Sequence, residues 1–536
     1  MPSFAHNSSS GLVADWKALE RVFIRPDKSS EKALLKYMQQ ILFGLQDFLK
    51  SNLGVTEEID LRALSERYTD SSIAPNPENK LPEIISEIIR EIAPRAVNVS
   101  SPYFVGHMTS AIPFFMVHLK TIVAALNQNV IKLETSKVVS IVERQVIARI
   151  HRLLYDFPTD FYDTHIQAPE ATLGAFTEGG TTANLTALWT ARNALLGPQE
   201  GFAGVEAAGV AGAYKALGIT RSVILVSRRG HYSLKKAGGV LGIGNENVVS
   251  VDVDQHNRID LDRLKSAVRQ YHGGSSRVIA VVGIAGTTET GNIDPLAQMA
   301  DICSENGIHF HVDAAWGGPT MVSDKYRHLL AGIQRADSIT IDAHKQFYMP
   351  MSCGVVLFKD PQAMDVVAYH ANYVNRPGSV DLGIKSFAGS REAHSLTLYG
   401  ALKIMGTRGY ALLIDHGIET ARRFAARIDK HPDFEVTTRP ELNILTYRMV
   451  PGAWRVKAQS ERSRALDDLN TRIQRIQREK GKSFVSRTRL PAPFMPGHEA
   501  VVFRCVIMNP LTNLAILEEI LQEQAEIGYG LIAAMG

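Results

Sequence analysis

Residues with usable chemistry fall at the ends of short β-rich runs. His231 follows the run Val223–Ser227, and the Gly286-Thr287-Thr288 turn follows Val278–Ile284. Asp313 follows Ile308–Val312, and His344-Lys345 follows Ser338–Ile341. In open α/β sheets ligands gather at the carboxyl ends of the strands. An imidazole, a hydroxyl, a carboxylate and an amine are thus delivered toward one rim. Upstream, Gly179 and Gly180 permit a tight turn, and Thr181 and Thr182 stand where a predicted helix, Ala183–Leu196, begins. The free N–H groups and positive dipole end of such a start suit an anion. Alone, GGTT is only a turn and a helix cap; the surrounding residues give it chemical meaning.

An anion cradle, a flat imidazole, a carboxylate and a lysine are the set that pyridoxal phosphate requires. The lysine takes the aldehyde, and the carboxylate keeps the pyridine nitrogen protonated so that the ring accepts electrons. The flat side chain covers one ring face, and the cradle holds the phosphate. Asp313 precedes Lys345 by 32 residues, the length of one strand–helix–strand unit.

With these residues in view, HVDAAWGG (His311–Gly318), DAHK (Asp342–Lys345), GGTTANL (Gly179–Leu185) and HYSLKKA (His231–Ala237) resemble the group II pyridoxal phosphate-dependent amino-acid decarboxylases. The resemblance spans roughly residues 95–410, and NPLT (Asn509–Thr512) fits the same family. It implies the aspartate-aminotransferase-like fold type I, a homodimer with its site at the subunit interface, and an N-terminal arm exchanged between subunits. Position by position, Lys345 would carry the cofactor, Asp313 would pair with the pyridine nitrogen and His231 would stack on the ring. Gly180, Thr181 and Thr182 would hold the phosphate. Thr287, Asp342 and His344 would complete the cofactor site, with His344 on the substrate side. The family returns a proton to the α-carbon from a tyrosine; Tyr373, 28 residues after Lys345, is the candidate and Tyr369 its neighbouring rival.

An acidic substrate needs cations for a second carboxylate. Arg391 in AGSRE matches an arginine of the family, with Arg376 and Lys385 nearby, and SPYFVGHM matches its substrate-side segment through Tyr103 and His107. HANYVNRPGSVDLG with GSRE and the long amino-terminal arm is similar to the aspartate 1-decarboxylases of the family, which would make β-alanine, a pantothenate and coenzyme A precursor. Glutamate decarboxylation is the nearest alternative, since one methylene is worth only about 1–3 kcal/mol in a pocket. Cysteine sulfinate is another. A carbon–carbon lyase or transaminase on the same scaffold would keep Lys345 and Asp313 but release no CO2, and an inactive scaffold would need a damaged constellation.

The elements that must position these groups are an α/β layer with a mostly parallel sheet. Helical stretches Leu261–Tyr271 and Leu296–Asn306 separate the strand runs, and another run, Val355–Phe358, follows the lysine. The arm, residues 1–100, carries apolar stripes at Leu34, Met38, Ile41, Leu45 and Phe48 and at Ile84–Ile92 that call for docking. Residues 101–395 form the expected large cofactor domain and 396–536 a smaller α+β domain, within which the charged stretch Ser460–Lys482 reads as a solvated helix. His309, His311 and Asp313 alternate on one strand face as metal ligands could, but a metal needs a further ligand and leaves DAHK without a use; no metal site is expected. Glycines 238–244 miss the GxGxxG spacing.

Composition agrees. Apolar residues are 45% and charged residues 21% of the 536, which excludes a disordered chain. With 58 Lys and Arg against 55 Asp and Glu, the net +3 gives no basis for a nucleic-acid partner. Three cysteines build no disulfide framework, and the N-terminus shows no basic stretch followed by an apolar core, so a reducing, cytoplasmic setting is expected. The uncharged stretch Ala96–Leu119 holds Asn98, three serines, two prolines, Gly106 and His107, too many polar and breaking residues for a bilayer, and reads as buried or cleft-lining.

Overall fold

The computed structural model describes residues 15–16, 22–51, 54–56, 61–371, 379–454, 459–491 and 499–534. Seven strands make the large sheet: β1 (Gly174–Thr177), β2 (Arg221–Ser227), β3 (Val248–Val251), β4 (Ser276–Ile284), β5 (His309–Asp313), β6 (Ser338–Asp342) and β7 (Gly354–Phe358), in the order β1-β7-β6-β5-β4-β2-β3. Strands β3, β2, β4, β5 and β6 pair in parallel, whereas β7 runs antiparallel to both β6 and β1. Parallel strands covered on both faces need apolar side chains at every position. On β2, Val223 and Leu225 accordingly pack into one layer while Ile224 and Val226 pack into the other.

The helices used below are α1 (Lys28–Ser51), α2 (Phe114–Leu126), α3 (Val138–Tyr155), α4 (Gly180–Leu195), α5 (Tyr232–Val240), α6 (Leu261–Tyr271), α7 (Leu296–Asn306), α8 (His394–Ile428), α9 (Gln459–Lys480) and α10 (Leu514–Ala533). Helix α6 begins where the Asp260 carboxylate accepts the Asp262 and Arg263 N–H groups, and α7 stops at Gly307 in the left-handed region. The predicted strand runs and the helices α6 and α7 are where the sequence places them. Strands β1 and β3, four residues each, carry too little pattern to be read. Helix α1 docks on the isoleucine stripe so closely that a Cβ on Gly44 would stand 2.4 Å from Ile89 Cδ1.

A second, antiparallel sheet has the order β10-β11-β9-β8, from β8 (Phe434–Thr438), β9 (Ile444–Met449), β10 (Ser486–Pro491) and β11 (Glu499–Val506). Helices α9 and α10 cover it. The charged stretch is not simply a solvated helix: Leu466, Leu469 and Ile473 of α9 are buried with Leu517, Ile520 and Leu521 of α10. Three apolar residues at spacings of three and four suffice for one buried stripe, and the charges occupy the remaining faces. All three cysteines are free and buried, Cys303 on α7, Cys353 before β7 and Cys505 on β11. Among the described residues no helix is long and apolar enough to cross a membrane.

Candidate active site

The parallel strands end around a cavity of about 330 Å³, whose wall includes His107, Gly180, Thr181, Thr182, His231, Asp313, Asp342, His344 and Lys345. Asp313 is the last residue of β5 and Asp342 the last of β6, and Lys345 follows one turn later. Lys345 Nζ lies 2.9 Å from Asp342 Oδ2, while Asp342 Oδ1 is buried without a hydrogen-bond partner. His344 is held by Nδ1 against the backbone of Cys353, with Nε2 3.8 Å from the Asp342 carboxylate. His231 caps α5: its Nδ1 accepts from the Ser233 N–H and sits 2.9 Å from Ser233 Oγ, which leaves the Nε2 proton to face outward. Burial lowers the His231 pKa, with the Lys345 charge adding to it and the Asp313 charge opposing it, so the ring is neutral at pH 7.

The start of α4 has the shape of an anion seat. Gly179 is in the positive-φ region at +138°, and a Cβ on Gly180 would stand 2.8 Å from Asp342 Oδ2 and 3.3 Å from Ala315 Cβ. Only glycine fits between the helix start and the β6 end. A phosphate-bearing, flat, aldehyde-bearing group suits this donor set: unpaired helix N–H groups and two hydroxyls at one end, a carboxylate at β5, an imidazole on one face and a primary amine.

Other candidates fall elsewhere. Thr287 is fully buried, its hydroxyl 2.7 Å from that of Thr290, and the cavity is lined by its neighbours Gly286 and Thr288 instead. Tyr103 donates its hydroxyl to Glu519 at 2.7 Å and is not part of the wall. Arg391 lies apart from Lys345, beside a narrow cavity of about 50 Å³, where it forms a buried pair with Glu143 (Nη1 to Oε2, 3.0 Å). Lys385 lines the same recess and pairs with Asp365 at 2.5 Å. Tyr369 donates its hydroxyl to Glu206, and Tyr373 and Arg376 lie outside the described residues.

Two residues were not anticipated, one on the cavity wall and one behind it. Asn184 on α4 donates from Nδ2 to Asp313 Oδ2 at 2.9 Å; it stands inside GGTTANL, one turn beyond the threonines. Arg504 on β11 reaches across from the small sheet, giving Nε–H to the Thr288 carbonyl at 2.6 Å and Nη1–H to the Gly106 carbonyl at 3.2 Å. Its Nη2 is buried without a partner, and burial lowers its pKa to about 10. His107, next to Gly106, is lowered first by burial and then by the Arg504 charge.

Residues 65–450 match the family model described as the pyridoxal-dependent decarboxylase conserved domain. An aspartate 1-decarboxylase of Aliivibrio fischeri is 44% identical over 96% of this chain and 95% of its own length. This chain belongs to the pyridoxal-dependent decarboxylases. An aromatic-L-amino-acid decarboxylase of Bacillus atrophaeus is 29% identical over 68% of this chain and 72% of its own. Among solved structures, the glutamate decarboxylase domain of diaminobutyrate-pyruvate transaminase and L-2,4-diaminobutyrate decarboxylase from Vibrio parahaemolyticus superposes with a TM-score of 0.80 at 21% identity, over 96% of this chain and 100% of that one. The decarboxylase therefore has the fold type I architecture and uses pyridoxal phosphate. Its reaction is the removal of a carboxyl group from an amino acid as CO2.

Proposed function

We propose that this decarboxylase converts L-aspartate to β-alanine and CO2, supplying a pantothenate precursor. The observation that carries the acidic substrate is Arg504, a buried guanidinium with one N–H group left unpartnered immediately behind His107 and Thr288 on the cavity wall. A buried cation with a spare donor is costly unless an anion completes it, and a dicarboxylic amino acid brings two. The relative in Aliivibrio fischeri that carries the aspartate name extends along almost the whole chain, which favours aspartate over glutamate and cysteine sulfinate.

The cofactor, when bound, accepts the electron pair that the departing carboxylate leaves behind. In this reading Lys345 would hold it through its amine. Asp313 keeps the proton on the ring nitrogen, and His231 covers one face. Gly180, Thr181 and Thr182 would hold the phosphate at the start of α4, with Asp342 and His344 completing the site. Thr287 supports the strand end from inside, and Tyr103 braces the substrate-side segment that carries His107. Arg391 steadies the chain behind β1 through Glu143. Tyr373 delivers the proton to the α-carbon; the hydroxyl of its rival Tyr369 is occupied by Glu206.

We further propose a cytoplasmic homodimer built as an arm (1–100), a cofactor domain (101–395) and a small domain (396–536). Phe114 and Ile122 on α2, Val138 on α3 and Leu412 on α8 are exposed large apolar side chains, and burial of that surface would favour a second copy. The substrate is tested by CO2 release from aspartate, glutamate, cysteine sulfinate and aromatic amino acids at equal concentration. Aspartate is expected to give the highest kcat/KM; a higher value with an aromatic amino acid would overturn the acidic reading.

A further inference from the structure

One buried polar thread runs along β5 from the cavity end of the large sheet to the opposite end of the strands. Asn184 Nδ2 donates to Asp313 Oδ2 at 2.9 Å and to Ser233 Oγ at 3.2 Å, and Ser233 Oγ in turn stands 2.9 Å from His231 Nδ1. On its other side Asn184 Oδ1 lies 3.0 Å from His311 Nε2. His311 Nδ1 lies 2.9 Å from Ser338 Oγ, and that oxygen lies 2.8 Å from His309 Nε2. His309 lines a cleft with Arg335, Asp337 and Lys359 at the far end of the strands. Asn184, Ser233, His311 and Ser338 are each at most 1% exposed.

The direction of every bond follows from the first. A carboxylate only accepts, so the amide nitrogen of Asn184 must face Asp313 and its oxygen must face His311. His311 then carries its proton on Nε2. Burial lowers its pKa to about 4, so it is neutral and has no second proton. Its Nδ1 must therefore accept from the Ser338 hydroxyl, whose oxygen accepts from His309 Nε2–H. Each link points its donor toward Asp313, and only one amide orientation of Asn184 satisfies them all.

We propose that Asn184 is a positioning residue that locks the Asp313 carboxylate and the His231 ring to one another, and that His311 and Ser338, whose donors run toward it, hold its amide in place from behind. The inference rests on Asp313 and His231 facing the cofactor ring as proposed above. It assigns a purpose to the alternating His309, His311 and Asp313 face of β5 that needs no metal. Without the Ser338 hydroxyl, His311 can turn its proton to the Ser338 carbonyl, 3.2 Å from Nδ1. Nε2 then becomes an acceptor and sets its lone pair against the Asn184 amide oxygen, so the hold on that amide weakens while the Asp313 carboxylate still keeps its nitrogen.

The test compares holoenzyme variants by pyridoxal phosphate affinity, by the visible absorption band of the bound cofactor, and by kcat and KM separately. Asn184→Leu is expected to weaken cofactor affinity by about 10- to 100-fold, the range for a hydrogen bond to a charged group, to shift the band and to lower kcat more than KM. Ser338→Ala, two links away, is expected to move the same three quantities in the same direction by a smaller factor, and Ser338→Thr, which keeps the hydroxyl, to restore them. Wild-type affinity, band and kcat in folded Asn184→Leu, beside a clear loss in Asp313→Asn, would overturn the proposal and leave the ring-nitrogen reading standing. No change in Asp313→Asn would overturn both. Should Asn184→Leu fail to fold, the Ser338 pair decides: equal behaviour of the alanine and threonine variants overturns the hold exerted through His311.

Discussion

Arg504 on β11 donates its Nε–H to the carbonyl of Thr288, 216 positions earlier in the chain, at 2.6 Å. The small sheet thereby grips the large one at a strand end that forms the cavity wall. Glu441 extends the grip by accepting the Ile293 N–H at 3.0 Å, and Thr488 by donating to Glu289 at 3.2 Å. The cavity wall at this rim is thus braced from behind by the small sheet.

Replacing Arg504 by Met should lower kcat/KM for aspartate by about 10- to 100-fold, the worth of one charge-assisted hydrogen bond. Cofactor binding should stay close to wild type, because Arg504 does not reach the α4 start. Steady-state kinetics beside a cofactor titration separate the two. Unchanged kcat/KM would remove Arg504 from substrate binding.

Borohydride reduction of the holoenzyme, followed by peptide mass analysis, should place the cofactor mass on Lys345. Lys345→Ala should show no reduced adduct and lose turnover by at least about a thousandfold, as for loss of a covalent catalytic group. An adduct on another lysine would move the assignment.

The pair Arg391–Glu143 is almost fully buried, with side-chain exposures of 2% and 1%. Removing one partner leaves an uncompensated charge, so Glu143→Gln or Arg391→Met should destabilise the fold by about 3–5 kcal/mol in urea unfolding. KM for aspartate should barely move in either variant at a temperature where it is folded. A tenfold rise in KM for Arg391→Met alone would return Arg391 to the substrate.

Asp294 is fully buried, and its carboxyl is pushed up to about 7 by desolvation, against the opposing N–H donors of Ile259 and Ile284. The folded state therefore holds this proton more tightly than the unfolded chain, whose ordinary value is 3.8. The stabilisation is complete below about pH 4 and fades as pH rises through about 7. The stability advantage of wild type over Asp294→Asn, from urea midpoints between pH 4 and 8, should shrink as pH rises. A constant or growing advantage would contradict the assignment.

The groups that line the cavity could be read early because parallel strands buried on both faces leave continuous Val and Ile runs, and the residues after each run land on the cavity rim. His231, Asp313, His344 and Lys345 all follow that rule. Thr287 shows where it stops: adjacent residues in a turn point opposite ways, and here Thr288 faces the cavity. Arg391 and Glu143 are separated by 248 positions, and no local pattern announces such a pair. Arg504 is likewise invisible locally, since its position depends on how one sheet docks on another. Asn184 was within reach. An amide one turn into a helix that opens on an anion seat, buried under a strand ending in Asp, needs partners for its four hydrogen-bonding positions.

The cysteines give the molecule a built-in gauge of its own opening. Burial pushes each thiol up, Cys303 to about 12 and Cys353 and Cys505 further, so none presents a thiolate at neutral pH while the fold is closed. The three sit in different layers: a helix on the large sheet, the turn behind the cavity floor, and the middle of the small sheet. The order in which a thiol reagent labels them as denaturant rises would record which layer yields first. Delayed labelling of Cys353 alone when cofactor is added would show that the cofactor braces the floor beneath it.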